Sequence, residues 1–325
     1  FYDTSNGVMF NNSAMVSSAD LAATNGVIHI VDKVIGLPSV VDHALANPSF
    51  SNLVAALGAA DGDLVSVLSG NGPFTVLAPV NDGFTSFLAD NNFASLGDVP
   101  TDALSQVLLN HVMGGTTFST DLVSAGSGYS STSATGAGDK PMSIYFNTSN
   151  GVQFNGVSTV ALPDVVAANG VIHAVDKVIG LPTIATFATS NPALSILVET
   201  LAYADTGMPT VPYITTVSDA AAGPFTVFAP TNGAFGNLLT DLGASALTDI
   251  PTGTVDSVLL MHIVSGNIQS DGLPNGTVST LGGDITADNT NFTLTNSNGT
   301  SNIVTSLVDI QAANGVVHVI DRVIR

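Results

Sequence analysis

The residues in this chain best placed to do chemistry are its histidines, and they sit in repeated settings. Three fall in one ten-residue phrase, NGVIHIVDKV from residue 25, NGVIHAVDKV from 169 and NGVVHVIDRV from 314, giving His29, His173 and His318 the same slot. Two more, His111 and His262, close the runs TDALSQVLLNHVM and TGTVDSVLLMHIV. A histidine in such a position could ligate a metal or act as a general acid or base. One histidine per repeat in an otherwise apolar setting is better read as a core residue whose nitrogens are satisfied by nearby backbone. No acid, base and nucleophile converge in sequence. There is no G-x-S-x-G, no H-E-x-x-H, no phosphate-binding glycine loop and no G-x-G-x-x-G after a strand. Asp61 and Asp63 begin a calcium loop that Val65 breaks. With no cysteine, disulfides, thiolate nucleophiles and Cys-ligated zinc are excluded. The expectation is a protein that is not an enzyme and has no cofactor and no metal site.

The elements that carry these histidines are legible from pattern. Asn-Gly is a turn signal, and the β-branched run after it, Val27 to Val31 in the first copy, is apolar toward both sides. Such a strand is covered on both faces and central in its sheet. The copies start 144 and 145 residues apart, which is the size of a domain and implies tandem domains, not a solenoid of short repeats. Upstream of each copy lies a hairpin signal: FYDTSNGVMFNN, YFNTSNGVQFNG and, more weakly, FTLTNSNGTSNIV, with Asn-Gly expected at the turn. After the phrase come helical spacings at 37–57 and 181–204, with Leu194, Leu197, Val198 and Leu201 making one apolar stripe. A second shared phrase, GPFTVLAPVNDGF at 72–84 and GPFTVFAPTNGAF at 223–235, reads as a buried strand ended by Pro79 or Pro230, with Asn81 or Asn232 as helix N-cap. The His111 and His262 runs follow as helices.

Charge narrows the partners. The chain of 325 residues carries 25 acidic and 5 basic residues, a formal net charge of −20, yet only 9% of residues are charged. That sign argues against nucleic acid and anionic membranes. No long apolar run free of polar breaks is present, so no membrane span is expected. A disulfide-free chain rich in Ser, Thr, Asn and Gly suits a secreted or surface protein of bacterial origin. Asn-x-Ser/Thr triplets at Asn11, Asn147, Asn275, Asn291 and Asn298 are read as products of composition, not as glycosylation sites. Two loops distinguish the repeats. The second repeat gains about seven residues in DTGMPTVPYITTVSDAAAG, and the first carries a small polar stretch at 124–140, read as a mobile loop. Partner contact is expected in these loops, at Tyr129, Met208, Pro209 and Tyr213.

Taken together, the two phrases, GPFTVLAPVNDGF followed by NGVIHIVDKVIG, resemble the two signature segments of the fasciclin (FAS1) domain. They recur in order, 72–84 with 169–180 and 223–235 with 314–325. The resemblance implies an α+β fold, a β-sandwich wedge with packed helices, repeated in tandem. It divides the chain into a remnant of a preceding domain at 1–36 and two domains at 37–180 and 181–325. It further implies an extracellular or cell-surface adhesion protein. Its partners would be a surface polymer, a matrix component or other fasciclin-like domains, in a homo-oligomer or fibre in the alternative reading. Many animal members carry a Tyr-His pair before the strand-rich half. Here the matching residues are Asn110-His111 and Met261-His262, so an integrin role is not carried over.

Overall fold

The computed structural model describes residues 1–209 and 211–325. By contacts the chain forms two compact units, Phe1–Gly126 with Asn147–Gly180, and Ser127–Phe146 with Leu181–Arg325. Both are α+β, as expected.

In the first unit the strand Gly170–Val175 lies between Phe74–Pro79, with which it runs parallel, and Ser158–Ala167, with which it runs antiparallel. Val112–Gly114 extends the sheet beyond Phe74–Pro79. The repeated phrase therefore forms a central strand here. The second unit repeats the arrangement, with Gly315–Ile320 parallel to Phe225–Pro230 and antiparallel to Ile310–Ala312. It adds a meander of four strands, Gly276–Thr280, Gly283–Asp288, Thr293–Asn296 and Gly299–Asn302. Alternation along the meander turns Val278, Ile285, Ala287 and Leu294 inward.

Helices cover the other side of each sheet. The first unit has Val40–Ala46, Ser51–Ala59, Leu64–Leu68, Asn81–Asp90, Thr101–Leu109 and Ser119–Ala125. Ile184–Ser190, Ser195–Asp205, Tyr213–Ser218, Asn232–Leu242 and Thr252–Leu260 belong to the second. The opening helices start on reciprocal caps. Ser39 and Asp42 bond each other's backbone N–H, and Thr183 and Thr186 do the same. The stripe expected on Ser195–Asp205 is buried at Leu197 and Leu201, which join Phe187, Phe235 and Val317 in the second unit's core.

Several local expectations are corrected. The helices begin at Asn81 and Asn232, and the N-caps are Val80 and Thr231. The Asn81 carboxamide instead accepts from the backbone N–H of Asn52, and that of Asn232 from Ile196, so each asparagine tethers the start of the neighbouring helix. The helices expected to end in histidine stop at Leu109 and Leu260, and the chain turns at His111 and His262 into a short strand. The stretch 124–140 is not a mobile loop. After the helix Ser119–Ala125 it forms the strand Ser127–Thr135, which packs with the second unit. In the third hairpin Asn296 pairs with Gly299, so Ser297-Asn298 make the turn and Gly299 already lies in the strand.

Candidate functional site

Of the candidate histidines, the fold has closed off four, His111, His173, His262 and His318, and left His29 exposed. His173 is fully buried. Its Nδ1 accepts from the backbone N–H of Asp164 at 3.3 Å, and its Nε2 faces the Thr117 carbonyl at 2.9 Å. Nε2 therefore carries the proton. His318 repeats this, accepting from Asp309 N–H at 3.2 Å and donating to the Ile268 carbonyl at 2.9 Å. Burial lowers the His318 pKa from its ordinary value. Both aspartates hold left-handed backbone, with φ of 61° and 55°. Each also receives a serine: Ser119 donates N–H and hydroxyl to Asp164 at 2.8 and 2.5 Å, and Ser270 does the same to Asp309 at 2.6 and 2.5 Å. Burial alone would raise the Asp164 carboxyl, but the Ser119 bonds outweigh it and hold the group below its usual pKa. Serine, aspartate and histidine are together, yet the hydroxyl points to the carboxylate and not to the imidazole, so no activated nucleophile results.

His111 and His262 use the opposite tautomer. Each donates Nδ1–H one turn back along its helix, to Val107 at 2.7 Å and Val258 at 2.8 Å. Nε2 of each then accepts a backbone N–H from the segment after the central strand, Ile179 at 2.9 Å and Ile324 at 3.0 Å. Burial pushes both rings down to about 4. They are staples between a helix end and the chain leaving the sheet, and they are neutral at physiological pH. Among the described residues no group of three histidines or carboxylates could hold a metal ion.

The asparagine of the repeated phrase does similar work, which its reading as a turn residue missed. Asn169 accepts from Val40 N–H and donates to the Leu68 and Gly70 carbonyls. Asn314 accepts from Ile184 and donates to Val217 and Asp219. The signal that could have found this is the repeat itself. Asn is kept in all three copies, although a turn tolerates several residue types.

The expected contact residues do not lie together on the surface. Tyr129 is on a strand, its ring 5.0 Å from Tyr145 and 5.5 Å from Phe187, and its hydroxyl accepts from Asn191. Burial pushes that phenol up to about 12. Tyr213 is fully buried and donates to the Asp256 carboxylate at 2.7 Å, so it anchors the second repeat's extra loop from inside. Met208 is 92% exposed, with left-handed φ of 56°, and Pro209 beside it is half-buried. Thr210, in the same loop, lies outside the described residues. Sequence reasoning also missed a largely apolar cavity of about 450 Å³ in the second unit, lined by Phe235, Leu238, Leu247, Val255 and Arg325 among others.

Comparison with known proteins places these features. The Fasciclin domain profile matches residues 1–38, 48–182 and 210–325. "Protein sll1483" of Synechocystis is 38% identical over 141 residues, covering 43% of this chain and 72% of that protein. "Transforming growth factor-beta-induced protein ig-h3" of Sus scrofa is 31% identical over 183 residues, 54% of this chain and 24% of its own length. Human periostin is 27% identical over 296 residues, 86% of this chain and 30% of its own length. The chain thus spans under a third of these two longer relatives. Among solved structures, the FAS1 domain pair of the insect cell adhesion molecule fasciclin I matches with a TM-score of 0.50 at 16% identity, over 85% of this chain and 97% of that one. With the profile covering most of its length, the chain belongs to the fasciclin domain family.

Proposed function

We propose that this chain is an adhesion module that works outside the cell or at its surface. Its fasciclin repeats would hold a surface polymer, a matrix component or another fasciclin repeat. The observation that carries this reading is the state of the histidines. Each unit has two imidazoles that are buried and bonded to backbone through both nitrogens, His111 and His173 in the first and His262 and His318 in the second. That supports a binding role over a catalytic one. The solved domain pair that shares this fold comes from a molecule described as a cell adhesion molecule, which is in keeping with the same reading. No helix among the described residues is long and apolar enough to cross a membrane. In this proposal residues 37–180 and 181–325 act as successive repeats and 1–36 as the strand-rich tail of another. Met208 and Pro209, on the loop peculiar to repeat two, form the first contact surface to examine.

The test is adhesion itself. Beads coated with the chain should cluster, or bind isolated cell envelopes or matrix, and Met208→Asp should weaken that binding. Coated beads that neither cluster nor bind either material would overturn the proposal.

A further inference from the structure

Protein interiors seldom leave a void much larger than a water, yet the second unit holds a cavity of about 450 Å³ among its helices. Thr200 reaches it from the helix Ser195–Asp205, Phe235, Leu238 and Leu242 from Asn232–Leu242, and Val255 from Thr252–Leu260. Phe235, Leu238, Ile250 and Val255 are buried, so much of the wall is apolar and shielded. Thr200 is buried too, but its hydroxyl already donates to the Ile196 carbonyl at 2.6 Å. Such walls suit water poorly, because a buried water needs several polar partners.

The rest of the lining differs. Leu242 is 47% exposed, Asn298 is exposed and Arg325 is partly exposed, so the cavity opens on their side. Positive charge collects there. Arg322 and Arg325 both donate to the Asp241 carboxylate, at 2.9 and 3.3 Å. Two guanidiniums thus share one carboxylate, in a chain with only 5 basic residues against 25 acidic ones. Each guanidinium has more N–H groups than the one Asp241 takes. The Arg325 backbone is held as well, because the Asn296 and Asn298 amides both donate to its carbonyl. A polar cleft of about 330 Å³ adjoins the same cluster, lined by Asn237, Asp241, Asn302 and Arg322 among others. An apolar cavity and a polar cleft therefore meet at a cationic pair. In the second copy of the repeated phrase Gly180 stands at the slot of Arg325, so the first repeat has no guanidinium there.

We propose that the second unit binds an unbranched aliphatic monocarboxylate, with its tail in the cavity and its carboxylate on Arg325. Apolar walls favour methylenes over water, and the fork of a guanidinium matches the two oxygens of a carboxylate. A carboxylate carries one negative charge, which equals the charge that Asp241 leaves unmatched. A phosphate group would bring more, against a chain of net charge −20. Length follows from volume. The cavity equals about fifteen waters at about 30 Å³ each, which accommodates a tail of about ten carbons with its carboxylate. Its size is also ordinary for a small-molecule site. This inference stands apart from the adhesion reading, because it concerns a small ligand held within one unit.

The chain has no tryptophan to report binding, so the experiment is isothermal titration calorimetry of the full chain with sodium decanoate at neutral pH. The expected result is one saturable site with a Kd below about 100 µM. Octanoate should bind about tenfold more weakly, since it buries two fewer carbons. Decyltrimethylammonium keeps the tail and reverses the charge, and should bind at least about tenfold more weakly than decanoate despite the acidic chain. Arg325→Gln should weaken decanoate by at least about tenfold and narrow the gap between the two amphiphiles. Leu238→Trp fills the cavity and should abolish binding of both. Should that core variant fail to fold, Arg325→Gln and the ligand series still decide. Heat that does not saturate by about 1 mM decanoate overturns the proposal. So does decyltrimethylammonium binding as tightly as decanoate, or decanoate binding that Arg325→Gln leaves unchanged. A stoichiometry well above one per chain also overturns it, by showing adsorption to the surface and not a site.

Discussion

Lowering the pH should unfasten the two histidine staples, and His262 gives the cleanest measurement. Its ring is buried with Nδ1 donating to Val258 and Nε2 accepting from Ile324, and its pKa falls from 6.5 to about 4. The unfolded chain takes up this proton below about 6.5, the folded chain only near 4. Protons therefore favour the unfolded state in that window. The histidine costs nothing above 6.5, then up to about 1.4 kcal/mol per pH unit, reaching about 3 kcal/mol near pH 4. Carboxylates act elsewhere. Asp42, Asp164 and Asp288 lie below 3.8 when folded, so their contribution is complete above that value and is lost only as pH falls through their lowered pKa values. The assay is urea unfolding followed by circular dichroism at pH 7, 6, 5 and 4.5, for the parent and His262→Gln. Glutamine can still accept the Ile324 N–H but cannot take a proton. The variant should lose about 1–2 kcal/mol at pH 7. Its stability should then fall less steeply, by about 1 kcal/mol per pH unit across the window. Imidazole NMR should titrate His262 near 4. Parallel pH profiles for parent and variant, or a His262 titration near 6.5, would refute the reasoning.

Other substitutions test the packing. Gly315→Ala, at φ 152° with the Phe225 carbonyl in the way, should cost more than about 3 kcal/mol in urea unfolding, whereas Gly26→Ala should stay within about 0.5 kcal/mol. Asn314→Ala strands one N–H and two carbonyls inside the second unit and should lower its stability by about 2–4 kcal/mol, with faster exchange at the Ile184 amide. Tyr213→Phe removes the hydroxyl bonded to Asp256 while keeping the ring in place. A loss of about 1 kcal/mol is expected, with raised exchange on the helix Tyr213–Ser218.

Much of this architecture could be read from the chain because period and pattern are local. The two phrases located both buried strands, though not their parallel pairing. The β-branched runs told that the central strand is covered in the second and third copies. In the first copy that expectation fails, since Gly26–Val31 ends its sheet and Val27, Ile28 and Ile30 are exposed. What could not be read is where polar side chains reach. Asn81 looks like a cap for its own helix, but it serves the helix beginning at Ser51, 30 residues earlier. Tyr213 looks like a loop contact, but a carboxylate 43 residues away draws it inside. Residues 124–140 have the composition of a loop, yet Tyr129 next to Tyr145 and Phe187 pins them as a strand. Each miss is a long-range bond that outweighs a correct local propensity.

The placement of segment 127–146 bears on where the chain can be cut. A boundary drawn by the sequence period would fall once, at Gly180. The chain passes between the contact units at Gly126, Phe146 and Gly180, so each unit is assembled from two separate stretches. A fragment that starts at Leu181 therefore lacks Ser127–Phe146, and with it Tyr145, 3% exposed in the core that holds Phe187 and Leu197. The unit that folds is not the unit that repeats.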